Sequence, residues 1–381
     1  MKKALMVAHV AYAIELFNIP NIKLLIDMGY EVQVACNFED RSSLSDEKVA
    51  ILKDKLTSMG VKYHHIPFER QPLKPANIKA YTQLKALIDN EKFDLIHCHT
   101  PVGGIITRLA AASSRKKNGT KVIYTAHGFH FFKGAPLINW LIYFTAEKFC
   151  SYFTDTIITI NKEDFTNAEN KLSAKKVCYV PGVGVDTDYF AGTRGKRDEL
   201  LSEISADEDS IILLSIGELS DRKNHSVSIK ALSQIKNENL HLVIAGTGEK
   251  REEFLSLAKA LEVDGRVHLL GFRTNVAELL KSADIFLFPS IQEGLPVALM
   301  EAMSCGLPVI CSEIRGNTDL IDDTCGILCD ATDADAFASA IKKLISNETL
   351  RKSMAEKAFK ESKKYDISII ENYMKDIYSG E

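Results

Sequence analysis

Short apolar runs rich in Val, Ile and Leu recur along the chain and alternate with longer amphipathic stretches. The runs lack the every-other-residue polarity of half-exposed antiparallel strands, and strands covered on both faces read in this way. The pattern therefore predicts parallel sheets with helices on both sides. In the first half the runs fall at 3–9, 31–35, 62–66, 94–98, 121–126, 156–160 and 176–180. Helical periodicity fills the gaps, as over 14–28, closed by Gly29, and over 78–90. A second series follows at 211–216, 240–245, 266–270, 284–288 and 308–311, and the tail over 347–378 reads as helix with no strand after it. Between the series lies 181–209, where Gly182, Gly184, Gly192 and Gly195 precede a charged run, as in an interdomain connection.

Length agrees with this division, because 381 residues exceed what one hydrophobic core usually serves. The expected architecture is α/β: two Rossmann-like, doubly wound parallel-sheet domains facing across a cleft, over 1–190 and 191–360. A C-terminal helix over 361–381 is then free to pack back on the first. Ligands of such sheets bind at the carboxyl ends of the strands, so chemistry should cluster in the loops that follow them.

A composition of 46% hydrophobic and 26% charged residues is that of a globular chain, which excludes the disordered and fibrous classes. The formal charge of -4 hides an asymmetry: residues 1–190 carry 24 Lys and Arg against 19 Asp and Glu, and the remainder 23 against 32. A basic first half suits an anionic partner, such as a phosphate-bearing acceptor or a membrane surface, or is a scatter of solvated charge. Cys36, Cys98, Cys150, Cys178 and Cys305 lie in apolar segments, as buried reduced thiols do; Cys325 and Cys329 miss the spacing of zinc and redox pairs. The first eight residues have the outline of a signal peptide, but His9 interrupts the apolar region and a first β-strand explains it better. The longest apolar stretch elsewhere, 135–146, is too short to span a bilayer. A cytoplasmic protein is expected.

After the apolar run that ends at Phe288 come Pro289-Ser290-Ile291-Gln292, then Glu293-Gly294-Leu295-Pro296, then an apolar helix through Met303. Pro296 suits the first helical turn. Glu293 then stands on the loop ahead of the helix, with Glu301 roughly 8 Å along its axis. One carboxylate can hold sugar hydroxyls and the other a ribose, with the helix N-terminus facing a diphosphate between them. Taken alone, the two acids read more simply as a capping acid and a solvated helical Glu, and it is their context that favours a site.

The chain also resembles glycosyltransferase family 4, retaining enzymes with the two-Rossmann GT-B architecture. The likeness runs over most of its length and is densest over 215–319. Gly217-Glu218-Leu219 with Lys223-Asn224-His225, Ala245-Gly246-Thr247-Gly248-Glu249, Leu270-Gly271-Phe272, Phe288-Pro289-Ser290, the two acids Glu293 and Glu301, and Gly306-Leu307-Pro308 carry it. Any one of these motifs is weak; their order and spacing make the signal. The resemblance implies an acceptor-binding first domain and a nucleotide-sugar-binding second one. It implies that Glu293 holds the donor sugar, Glu301 the ribose and Lys223 the diphosphate. Gly217, Arg222, Gly294, Leu295 and Arg315 would line the donor site, with Phe272 and Arg273 bordering the base. Gly246 and Gly248 would allow close backbone approach, or simply make a tight turn.

In the first domain His127, in Thr125-Ala126-His127-Gly128, matches the histidine that contacts the donor sugar near the reacting carbon. His99, Gly103 and Gly104, together with His9, would form the acceptor side of the cleft. Zinc is not expected at His97-Cys98-His99, because adjacent strand positions point to opposite faces. The sequence departs from the family twice. Glu218 stands where an arginine is common, leaving Arg222 or Arg315 to supply the second cation. The glycine-rich loop after the first strand is replaced by Ala8-His9-Val10-Ala11-Tyr12. The Asp-x-Asp pairs at Asp186, Asp207 and Asp333 read as capping and solvation, so neither metal nor cofactor is expected, the nucleotide sugar being a co-substrate.

The expected enzyme moves a hexose or N-acetylhexosamine carried on a nucleotide, UDP by the resemblance, to a glycan or polyprenyl-diphosphate-linked acceptor in capsule or exopolysaccharide synthesis. Phe129, Phe131, Phe132 and Lys133 lead into a helix carrying Leu137, Trp140, Leu141, Phe144 and Lys148, which fits either a buried helix or peripheral contact with an anionic membrane at the inner face of the cell. No nucleic acid is implicated. Two rivals share the architecture: a nucleotide-sugar 2-epimerase, and a non-catalytic sugar-nucleotide-binding protein.

Overall fold

The computed structural model describes residues 1–41, 44–72 and 74–380 and divides into two compact units. The first holds Met1–Val180 together with the chain from Glu371 onward, and the second Pro181–Ile370. Each is built on one parallel sheet.

In the first unit the strands are β1 (Lys2–Val10), β2 (Tyr30–Asn37), β3 (Lys62–His65), β4 (Leu95–His99), β5 (Lys121–Ala126), β6 (Thr156–Thr159) and β7 (Lys176–Tyr179). They lie in the order β3-β2-β1-β4-β5-β6-β7. The second unit has β8 (Ile211–Ile216), β9 (Leu240–Ala245), β10 (Val267–Gly271), β11 (Ile285–Phe288), β12 (Val309–Ser312) and β13 (Gly326–Cys329), ordered β10-β9-β8-β11-β12-β13. Both sheets reverse direction of winding beside their first strand, between β1 and β4 and between β8 and β11, which is where such sheets open a crevice at the strand carboxyl ends. Central strands bury both faces, since consecutive residues such as Leu5 and Met6 on β1, Leu213 and Leu214 on β8 and Phe286 and Leu287 on β11 are all fully buried. Leu213, Leu242, Ile244, Leu287 and Ile310 belong to one core cluster of the second unit, and Leu5, Val7, Ile96, Val122 and Ile157 to one of the first.

Four features depart from the sequence reading. The helix expected over 14–28 is two helices, Ala11–Phe17 and Ile19–Asp27. Pro20 has no N–H to continue the first, and the buried Asn18 side chain instead donates to the Ala13 carbonyl at 2.9 Å. Strand β13 was not anticipated; its four residues, Gly first, pair with β12 along the sheet edge between the two cysteines considered as ligands. All eight cysteines are free thiols, and only Cys178 is not fully buried. The glycine-rich stretch after Val180 is not a bare linker. It folds into Thr187–Gly192 and Arg197–Glu203 within the second unit, where Thr187 Oγ1 donates to Asp366 at 2.6 Å and Arg197 to the Ser282 carbonyl at 2.8 Å. Pro296 is the N-cap of its helix in extended conformation, one position ahead of the expected first turn.

One buried ion pair fixes the helical segment after β5. Arg108, on the helix Pro101–Asn118, sits 2.8 Å from the Glu147 carboxylate, and its guanidinium lies 3.9 Å over the Tyr124 ring, whose hydroxyl donates to the same carboxylate at 3.0 Å. Arg108 is fully buried and Glu147 nearly so. Removing one partner strands the other charge away from water. Glu147→Ala is therefore expected to cost about 3–5 kcal/mol in chemical denaturation, far more than an exposed carboxylate would.

Candidate active site

Four carboxyl-edge loops of the second sheet meet backbone to backbone in two pairs, those after β8 and β9 and those after β11 and β12. A β-carbon on Gly246, after β9, would fall 1.8 Å from the Gly217 carbonyl oxygen after β8, and one on Gly248 would fall 2.4 Å from that of Leu219. The Leu219 amide donates to Thr247 at 2.9 Å and the Lys250 amide to Leu219 at 3.0 Å, zipping the two loops together. Gly316, after β12, is likewise forced by contact with the Gly294 carbonyl, 2.3 Å from where its β-carbon would be, at a φ of 84° that glycine accepts without strain. These glycines set the spacing of the loops that carry the charged groups.

Within this frame Lys223 and Arg222 converge on one carboxylate. Lys223 Nζ donates to Glu293 Oε1 at 2.7 Å and Arg222 Nη1 to the same oxygen at 3.0 Å. The Lys223 ammonium also lies 4.7 Å over the Phe288 ring, and its stem packs on Gly217. Burial lowers the Lys223 pKa while Glu293 opposes the shift. Asn224, in left-handed conformation at φ 56°, donates to the carbonyls of Pro289 at 3.0 Å and Ala331 at 2.7 Å, clamping this turn to the loops after β11 and β13. The sequence reading quoted Asn224 within a motif but gave it no role; its tolerance of the left-handed region next to two basic residues was the available signal.

Glu301 lies in the helix Val297–Ser304 behind Glu293, and burial alone raises its carboxyl to about 7. Leu295 is buried against Gly182. Arg315 is half-buried beside Gly316, so it borders the same loop, but Arg222 is the cation that reaches Glu293. Glu218 is exposed. Phe272 is 62% exposed, whereas Arg273 is turned onto Glu203, an ion pair on the outside of the helix Arg197–Glu203 rather than a free edge for a base. Asp186 and Asp333 cap helices, accepting from Tyr189 and from Asp335 and Ala336, and Asp207 and Asp209 are exposed. Among the described residues no group of three or more His, Cys, Asp or Glu could hold a metal ion.

In the first unit His127 follows β5 with its ring half-buried and its Nε2 3.0 Å from His99 Nδ1. Burial depresses His127 to about 4. His99 is 1% exposed, which removes it from direct contact with an acceptor and makes it a neighbour of His127 instead. Gly103 and Gly104 serve packing: a β-carbon would meet the His9 amide at 3.1 Å in the first case and the Tyr124 ring at 2.4 Å in the second. His9 is half-buried at the end of β1, with Nδ1 sealed and its pKa lowered to about 4 by burial and by Arg70.

Comparison with known proteins fits this geometry. A family model described as Glycosyl transferases group 1 matches residues 196–361, and one described as Glycosyl transferase 4-like matches residues 6–161. The chain is 36% identical to the putative glycosyltransferase EpsD of Bacillus subtilis (strain 168), over 100% of this chain and 97% of that one. It is 30% identical to the UDP-Gal:alpha-D-GlcNAc-diphosphoundecaprenol alpha-1,3-galactosyltransferase of Escherichia coli, over 72% of each. Anabaena HepE in complex with UDP and glucose has a TM-score of 0.80 at 18% identity with both chains wholly covered. A glycosyltransferase from Rickettsia africae ESF-5 gives 0.78 at 17% identity, covering 100% and 98%. The fold is GT-B.

Glu301 yields a prediction independent of any ligand. Its carboxyl titrates near 7 when folded and near its ordinary 4.5 when unfolded, so ionisation weakens the fold as pH rises from the lower value to the higher. Glu301→Gln should raise stability by about 3 kcal/mol at pH 8, with most of the gain gone by pH 5. Denaturant titrations of both proteins at the two pH values measure it; an equal gain at both would show that Glu301 is not a buried acid.

Proposed function

The chain belongs to the family 4-type glycosyltransferases, and on that premise we propose that it moves a hexose or N-acetylhexosamine from UDP to a polyprenyl-diphosphate-linked glycan, with retention, in making a capsule or exopolysaccharide. The observation that carries the reading is the convergence of Lys223 and Arg222 on Glu293 directly ahead of the helix Val297–Ser304. Two cations share one carboxylate beside the positive end of a helix, a setting with charge to spare for a diphosphate. The polyprenyl-diphosphate acceptor is taken from the Escherichia coli relative, whose name specifies a diphosphoundecaprenol-linked sugar.

In this reading Lys223 and Arg222 hold the diphosphate, with Arg222 taking the place of the cation that Glu218 lacks. Glu293 accepts from hydroxyls of the donor sugar, Glu301 from the ribose, and His127 touches the sugar near its anomeric carbon. The anomeric C–O bond to the diphosphate breaks, and the acceptor oxygen bonds to that carbon from the same face. Its proton passes to the departing phosphate oxygen. No protein base is needed; the protein stabilises charge on the leaving group and aligns the acceptor.

The acceptor's lipid gives the first unit's exposed apolar helix a purpose. From Leu137 to Ser151 the chain is helical, with a π-helical turn over Trp140–Phe144. Leu137 is 87% and Leu141 69% exposed, with Ile138, Ile142 and Phe149 beside them. Residues 101–150 hold seven Lys and Arg against a single acid, Glu147, which is spent on Arg108. An exposed apolar face on a net-basic stretch of chain fits an anionic membrane, on which the protein would act at the cytoplasmic face. Among the described residues no helix is long and apolar enough to cross a membrane.

Mass-spectrometric screening of nucleotide sugars for acceptor-free hydrolysis identifies the donor. With that donor, Lys223→Ala and Glu293→Ala should each lower turnover by well over tenfold, as loss of a charge-assisted contact to the reacting groups does. Near-normal rates would overturn the roles given to them. The double variant Leu137→Ser, Leu141→Ser should lose co-sedimentation with phosphatidylglycerol vesicles at low salt while keeping its circular-dichroism spectrum; undiminished binding would move the membrane contact elsewhere.

A further inference from the structure

Three imidazoles stand together at the carboxyl edge of the first sheet. His97 and His99, two residues apart on β4, share a face, and their ring centroids are 4.1 Å apart; the His127 ring lies 5.3 Å from that of His99. His97 is held at both nitrogens, Nδ1 by the Tyr378 hydroxyl and Nε2 by that of Thr125, each at 2.8 Å. His99 is held at one. Its Nδ1 is 3.0 Å from His127 Nε2, while its Nε2 is buried and meets no hydrogen-bond partner among the described residues. Burial keeps all three neutral, with His97 pushed down to about 3, His127 to about 4 and His99 well below its ordinary value.

Two neutral imidazoles that face each other have one proton between them, and the ring that owns it decides what the other nitrogens carry. Were His127 Nε2 the donor, His99 would bear its own proton on Nε2, a sealed N–H with no acceptor. Orphaned buried N–H groups are the rarest kind, and an unsatisfied one costs about 1–3 kcal/mol. With His99 Nδ1 as donor, the sealed nitrogen is a bare lone pair, and His127 carries its proton on Nδ1. That nitrogen is not among the sealed atoms.

We infer that His99 is a positioning residue that locks His127 in the Nδ1–H tautomer, so that His127 offers a hydrogen-bond donor to an oxygen lone pair of the bound nucleotide sugar. The inference rests on the proposed contact between His127 and the donor. Tyr378 and Thr125 act one step further back, clamping the His97 ring against which His99 packs. Tyr378 comes from the C-terminal helix Ile367–Ser379, which ties the far end of the chain to this row.

Ring-nitrogen NMR of the full chain labelled with 15N-histidine tests it, with His127 assigned by comparison with His127→Gln. The expected wild-type spectrum shows His127 protonated on Nδ1 and bare on Nε2. In His99→Leu the His127 proton should redistribute toward Nε2, and kcat should fall about tenfold with donor KM within about threefold, the weight of one hydrogen bond in the reacting complex. His99→Asn, whose amide can donate from nearly the same place, should restore the tautomer and most of kcat. A wild-type His127 protonated on Nε2 overturns the inference, as does a His99→Leu protein whose His127 stays Nδ1–H. Should His99→Leu fail to fold, the wild-type spectrum still decides. The donor contact itself fails separately: His127→Ala at the wild-type rate would refute it whatever the tautomer.

Discussion

Backbone contact between loops is the constraint on which the second unit's chemistry depends. The carbonyl of Gly217 occupies the space where any other residue at 246 would put its β-carbon, and the same holds between Leu219 and Gly248 and between Gly294 and Gly316. Loops locked this closely cannot drift apart to suit their side chains. The loop that carries Lys223 is tied to the loop that carries Glu293 by the Ile291 amide, which donates to the Arg222 carbonyl at 2.9 Å, and by Asn224, which donates to the Pro289 carbonyl at 3.0 Å. Across that joint Lys223 reaches Glu293 at 2.7 Å, its stem on Gly217 and its ammonium over Phe288. The geometry is set before any ligand arrives, which is what lets a charged site stabilise a developing charge without reorganising.

The electrostatic consequence is an imbalance. Glu293 accepts from both Lys223 and Arg222 through one oxygen, and burial already lowers the lysine's pKa. A single carboxylate cannot neutralise two cations, and the helix N-terminus behind it adds partial positive charge. Glu301, half-buried and raised to about 7, contributes little negative charge below neutrality. The negative charge of Glu218 is felt at Lys223 as well, so the two cations are shared between Glu293 at contact distance and Glu218 at longer range. Arg222, five residues from Gly217, folds back to the same carboxylate, which is the geometry the proposed substitution of Arg222 for a cation at position 218 requires.

The parallel sheets were legible in the sequence because central strands buried on both faces leave continuous apolar runs; twelve strands fall where the sequence places them, although β3, Lys62–His65, is a largely exposed edge strand that has no such run. Where the reading failed, a local rule was overridden or hidden. Pro20 splits a helix that apolar periodicity alone would continue, since its ring denies the hydrogen bond whatever the pattern. Strand β13 is four residues long and begins with glycine, too short and too weak in propensity to declare itself. Residues 187–203 look like linker by composition, yet Asp366 and Asp284, far along the chain, give their backbone and side chains partners. For the site, the acids and Lys223 were legible from spacing after strands. The pairing of Arg273 with Glu203 was not, because it joins residues seventy apart. Nor was the burial of His99, which shares a face of β4 with the equally buried His97 and reaches the surface only through His127.

In the first unit, order inside and exposure outside belong to the same helix. Glu147 is drawn inward by Arg108 and Tyr124, and Trp140 and Phe144 pack on Phe131. That inner face leaves Leu137, Leu141 and Ile142 in water, where each forgoes roughly 1.5–3 kcal/mol that burial would supply. A fold under selection for stability alone would place polar residues there. The buried ion pair holds the helix in register despite the exposed face, so the apolar side chains are presented on a fixed surface instead of collapsing inward. Under the proposed membrane contact, the same ion pair that stabilises the unit also sets which side chains meet the lipid.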